Sequence, residues 1–127
     1  MKVGYWIQDA DYQARDFDPV DVDGALAAWR GHDWTAAFAE FQKMEAAGQD
    51  CCPPGIGFTR PMKPVSEFLQ ICPAKTGWTI FYQHPERNSD ASLMADGVQK
   101  GTVETALHAF FAGDRAGIEA ALERFQS

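Results

Sequence analysis

Residues 66–83 read "SEFLQICPAKTGWTIFYQ", from Ser66 to Gln83. Ser66 to Cys72 and Gly77 to Gln83 are rich in Ile, Phe, Trp and Tyr, the side chains that suit a pleated, half-buried surface. "PAKTG" between them has the residues of a short hairpin loop, so the two runs pair antiparallel. That choice decides the fold class, because a parallel pair would need a crossover of a dozen residues or more.

Working outward, Gly57 to Arg60 extends the sheet on the N-terminal side. Lys2 to Gln8 alternates as a strand, with Val3, Tyr5 and Ile7 on one face and Trp6 on the other. Between these lie two helices. Asp21 caps the first, whose stripe is Val22, Ala25, Leu26 and Trp29 before Gly31. Asp33 caps the second, with Trp34, Ala37, Phe38, Phe41 and Met44 at helical spacing and Gly48 as its stop. After residue 100 the pattern repeats. Thr102 opens a helix with Val103, Ala106, Leu107, Phe110 and Phe111 on one face, and Gly113 ends it. Asp114 caps a last helix carrying Ile118, Ala121, Leu122 and Phe125. Residues 9–21 read as an acidic loop, and the polar stretch 88–101 offers only a turn at Asp96-Gly97. The expectation is an α+β fold, an antiparallel sheet of about four strands packed against two helical hairpins, in a single globular domain over residues 1–127.

Composition narrows the function classes. With 46% hydrophobic and 13% aromatic residues the chain can build a core, and no apolar run approaches the ~20 residues of a membrane span. The start, "MKVGYWIQDADYQ", reaches Gln8 and Asp9 too soon for a signal-peptide core. Three cysteines are an odd number, which fits a reducing compartment better than a disulfide framework. A cytoplasmic protein with no membrane partner is therefore expected. The net charge of −7 is uneven. Residues 1–50 carry ten acids and four bases, residues 51–100 four and five, and residues 101–127 four and two. The excess is densest at Asp9, Asp11, Asp16, Asp18, Asp21 and Asp23, with only Arg15 among them. Such a segment repels phosphate, which argues against nucleic acid, and attracts a basic protein.

The segment "CCPPGIGF", Cys51 to Phe58, raises the question of thiol chemistry. Cys51, Cys52 and Cys72 with His84 make four soft ligands for zinc, or a thiol nucleophile with a histidine base. Adjacent cysteines lack the two-residue gap that lets both thiolates face one metal. Pro53 and Pro54 instead favour a stiff spacer that delivers the chain from helix to sheet. The glycines do not open into a helix, so a phosphate loop is excluded. "DFDPVDVDG" fails as a calcium loop: with Asp23 at the fifth position, the first would be Pro19 and the twelfth Arg30. No Ser-centred nucleophile motif is present, and exposed aspartates lack the cleft that acid–base carboxylates need. The residues favour a binding protein over an enzyme, with no cofactor; the alternative is a small thiol- or metal-dependent enzyme using Cys51, Cys52 or Cys72 with His84.

Four stretches together, "DADYQARDFDPVDVD", "FLQICP", "WTIFYQHP" and "ALHAFFAGDRAGIEAALERF", resemble the small cytosolic α+β immunity proteins that bacteria pair with secreted toxins. The resemblance implies a protein that neutralises a basic toxin or enzyme by blocking its active site. The expected partner surface is Asp9, Asp11, Tyr12, Asp16, Phe17, Asp18, Asp21 and Asp23, with the acids steering encounter and the aromatic residues anchoring it.

Overall fold

The hairpin expected at 66–83 lies in the interior of the sheet, with neither strand at an edge. The computed structural model describes residues 2–63, 65–85 and 93–126. Six strands form one antiparallel sheet: β1 (Val3–Gln8), β2 (Ala14–Val20), β3 (Gly55–Arg60), β4 (Glu67–Pro73), β5 (Trp78–Gln83) and β6 (Leu93–Val98), in the spatial order β2-β1-β3-β4-β5-β6. Among the described residues four helices accompany them: α1 (Val22–Gly31), α2 (Trp34–Ala46), α3 (Lys100–Phe111) and α4 (Arg115–Leu122), with a final 3-10 turn at Glu123–Phe125. The class is α+β, as expected.

The sheet has six strands rather than about four. The supposed acidic loop is in large part β2, an edge strand paired to β1 through Tyr5↔Phe17, Trp6↔Asp16 and Ile7↔Arg15. Aspartate and proline are depleted in strands generally, but an edge tolerates both, since its outer side needs no ladder partner. The second addition is β6. Residues 88–92 of the polar stretch lie outside the described residues, and Leu93–Val98 pairs with β5 across a register shift at Gly97, φ 67°. Leu93, Ala95 and Val98 are buried, spaced two and then three apart, which breaks strict alternation.

The helices follow their caps. Asp21, Asp33 and Asp114 each accept a hydrogen bond from the backbone three residues on, at 2.9, 3.1 and 2.9 Å. Gly48 and Gly113 take the left-handed conformation just beyond α2 and α3. Thr102 is not the cap of α3; Gln99 holds that position, without a side-chain bond. Helix α1 packs on α3 and α3 on α4. Helix α2 instead crosses one end of the sheet, between the β4–β5 hairpin and the β1–β2 turn, and buries only Trp34 of its expected stripe. Of the two expected helical hairpins, α3 and α4 pack closely on each other, whereas α1 and α2 diverge.

The core lies between the helices and one face of the sheet. Ile7, Ile56, Phe58, Leu69, Ile71, Ile80 and Tyr82 face Leu26, Trp29, Val103, Leu107, Phe110, Ile118 and Leu122. Among the described residues its one buried charge is Glu67, 3% exposed, which accepts from the Tyr82 hydroxyl at 2.6 Å and pairs with Arg60 at 3.1 Å. Arg60 also donates to the Phe110 carbonyl and lies over the Phe110 ring, so this cluster ties β3, β4 and β5 to the C-terminal end of α3. Burial first, and the neighbouring Glu67 carboxylate second, push the Tyr82 hydroxyl well above the ordinary phenol range.

Candidate partner-binding surface

The eight residues expected to meet a partner fall into three groups. Asp9, Asp11 and Tyr12 form the β1–β2 turn, closed by Asp9 N–H to the Gln13 carbonyl at 2.8 Å and Tyr12 N–H to the Asp9 carbonyl at 3.1 Å. Asp16, Phe17 and Asp18 lie along β2. Asp21 and Asp23 open α1. The hairpin and the helix start at its foot make one continuous acidic margin.

Several of these side chains hold the local fold. Asp21 is spent as the α1 cap. Asp11 accepts from Gln13 N–H at 3.2 Å. Tyr12 is 51% exposed and has φ 70°, a conformation that disfavours any side chain. Its hydroxyl lies 3.0 Å from both Asp50 Oδ1 and the Cys51 carbonyl oxygen, latching the turn to the segment that follows α2. That bond to Asp50 is the main reason its pKa is raised. Phe17, 37% exposed, stacks on Tyr5 at 4.8 Å between ring centroids, and Arg15 lies over its ring. Asp16, Asp18 and Asp23 remain exposed, and among the described residues no ion pair involves them.

The Cys-Pro segment turns out to wall a cleft. The second face of the sheet, away from the helices, carries Trp6, Phe68, Gln70 and Phe81, all half-buried. Near the end crossed by α2, a cleft of about 280 Å³ opens on this face, lined by Gln8, Cys52, Pro53, Phe68, Gln70, Cys72 and Phe81. The chain reaches it because Cys52 N–H bonds to the Ala10 carbonyl at 3.0 Å, drawing the segment past the end of β1. The stiff-spacer reading of Pro53 and Pro54 agrees with this path.

The thiols do not converge with His84. Cys52 and Cys72 both line the cleft, whereas Cys51 does not. His84 follows the far end of β5, five residues beyond Thr79, the partner of Cys72; that is roughly 17 Å of strand. Among the described residues no group of three or more His, Cys, Asp or Glu is arranged to hold a metal. All three cysteines are free. Burial pushes the Cys72 thiol up to about 12, against a weaker opposing hydrogen bond from Gln70, and raises Cys51 and Cys52 as well. Such thiols stay protonated near neutrality, the less nucleophilic form.

The residues that sequence reasoning missed are those of the second face. Their signal was present in Trp6, Phe68, Phe81 and Met94, large apolar side chains placed out of phase with the core-facing set. Among the described residues no helix is long and apolar enough to cross a membrane. No family model, curated protein or solved structure matches this chain.

Proposed function

We propose that the protein is an acidic binding module that docks a basic protein partner on its β2 margin, in the manner of an immunity protein that covers the active site of a toxin or enzyme. The observation that carries this reading is the placement of Asp16 and Asp18 on an edge strand exposed from Ala14 to Pro19, beside the half-exposed Phe17. The acids raise the local concentration of a cationic partner, and the stacked Phe17–Tyr5 pair gives it a rigid apolar contact. The same charges keep β2 from pairing with the β2 of another copy, so they select the partner as well as attract it.

The test begins with affinity purification from the source cell and identification of the bound protein by mass. The chain carrying Asp16→Asn, Asp18→Asn and Asp23→Asn then meets that partner in stopped-flow measurements over a salt series. Asp21 is left alone because it caps α1. Association at low salt should slow by roughly tenfold and its salt dependence should flatten. A wild-type association rate that ignores salt would remove the acidic margin from the mechanism.

A further inference from the structure

We propose that the open face of the sheet is the second half of this interface, where a cationic, extended segment of the partner lies across the strands and seats one apolar side chain in the cleft beside Cys52 and Pro53. The inference rests on the reading of the acidic margin and names what that margin delivers.

The register makes the two surfaces continuous. Asp16 pairs with Trp6, Trp6 with Gly57, Gly57 with Gln70, Gln70 with Phe81 and Phe81 with Met94. Directly paired residues share a face, so one row of side chains runs from the acidic edge across all six strands. Glycine lets neighbouring side chains lie flat against its floor. A Cβ on Gly57 would stand 2.1 Å from the Trp6 ring, so the indole lies against the β3 backbone. A Cβ on Gly55 would stand 2.8 Å from Cys72 Sγ. The depression beside them, about 280 Å³, exceeds the roughly 150 Å³ at which an apolar cavity already takes up benzene.

Charge selects the occupant. Among the described strand residues the formal charges on this face are acidic, with Asp16 at one side and Asp96 at the other, and Arg15 and Arg60 belong to the helix-covered face. A second copy of this chain, with net charge −7 and the same acids, is a poor fit; a segment with Lys or Arg flanking an aliphatic or aromatic residue is a good one. The cleft also offers amides. Gln8 Nε2 donates to Cys52 Sγ at 3.4 Å and Gln70 Nε2 to Cys72 Sγ at 3.6 Å. Sulfur is a weak acceptor, so an extended backbone's carbonyl oxygens replace these bonds with stronger ones.

A phage-displayed random dodecapeptide library, selected on the full chain, supplies the probe, and the enriched peptides are then synthesised and titrated. Peptides with Lys or Arg around an apolar residue are expected, with affinity that falls at high salt. Gln70→Trp, which fills the cleft, and Phe81→Ala, which strips one wall, should each weaken them at least tenfold while still unfolding in one cooperative transition, Gln70→Trp at about the wild-type midpoint and Phe81→Ala slightly below it. Enrichment of acidic or neutral peptides, no enrichment, or equal binding by both folded variants overturns the proposal. So does self-association of the chain that Gln70→Trp abolishes, which would make the occupant a second copy. Salt-dependent association of the natural partner that survives Gln70→Trp would sink the cleft and leave the acidic margin standing. Salt-independent association would sink the margin itself.

Discussion

Two rows of side chains, one residue apart, cross the same six strands and end in different worlds. Phe17, Tyr5, Phe58, Leu69, Tyr82 and Leu93 run along the helix side; Asp16, Trp6, Gly57, Gln70, Phe81 and Met94 run along the other. Residue type alone does not separate them, since Trp6 and Phe81 are as apolar as Tyr5 and Phe58. The difference lies in the centre and in what stands opposite. The helix-side row puts Phe58 at the middle of the sheet, against Phe111 of α3 at 5.9 Å, edge to face. The other row puts a glycine there and leaves its aromatic neighbours half-buried. One face is filled to make a core, and the other carries an open cleft.

The sharpest way to break that contrast is to remove one ring from each face. Phe58 is fully buried, so Phe58→Ala should cost about 3–5 kcal/mol through lost transfer energy and the cavity left behind. Phe81→Ala should cost roughly 1 kcal/mol, because its ring is already partly in water. Urea denaturation of both variants reads the difference directly. Equal losses would mean that the second face is packed as a core too, and that its cleft is a defect of packing rather than a surface.

A second contrast sits within the open row. Gly57→Val forces the Trp6 indole off β3 and should destabilise by about 1–3 kcal/mol, the usual range for overpacking. In a Trp6→Ala background the same change should become neutral or stabilising, because valine suits a strand interior better than glycine does. The sign change measures how strongly the ring and the glycine depend on each other. If Gly57→Val costs the same with and without Trp6, the glycine serves the backbone and not the ring.

These contrasts also explain what could be read from the chain. The Asp21, Asp33 and Asp114 caps, the β4–β5 hairpin and the buried faces of α1 and α3 were legible because each depends on residues close in sequence. Strand β2 was hidden because Asp16, Asp18 and Pro19 look like a loop until the neighbour β1 shows that they form an edge. Strand β6 was hidden because the register shift at Gly97 breaks the period of two. The stripe on α2 has the right spacing, but spacing cannot say that the helix crosses the sheet end, where Trp34 is buried and Ala37, Phe38, Phe41 and Met44 are only half covered. The candidate margin was legible as charge and not as shape. That Asp21 caps α1 followed from its position, whereas the hold of Tyr12 on the turn joins residues 38 and 39 apart. The cleft depends on the second face of three strands, β1, β4 and β5, and on Cys52 and Pro53, and no local pattern joins them.

The last contrast compares a buried acid on each face in alkali. Tyr82 belongs to the core and Cys72 to the cleft, and burial raises both. A group whose folded pKa is raised binds its proton more tightly in the native state, so the unfolded chain ionises first and stability falls as pH rises. For Cys72 the window opens near 9.0, the ordinary thiol value, and closes at about 12. Within it the loss should approach 1.4 kcal/mol per pH unit. Cys72→Ala, denatured by urea under reductant between pH 8 and 10.5, should therefore start less stable and lose less on the way up. Tyr82→Phe should leave the limb between 9 and 10 unchanged, because a phenol in the unfolded chain ionises only near 10. If Cys72→Ala follows the wild-type slope from pH 9, water reaches that thiol, and the cleft floor is wetter than its apolar walls imply.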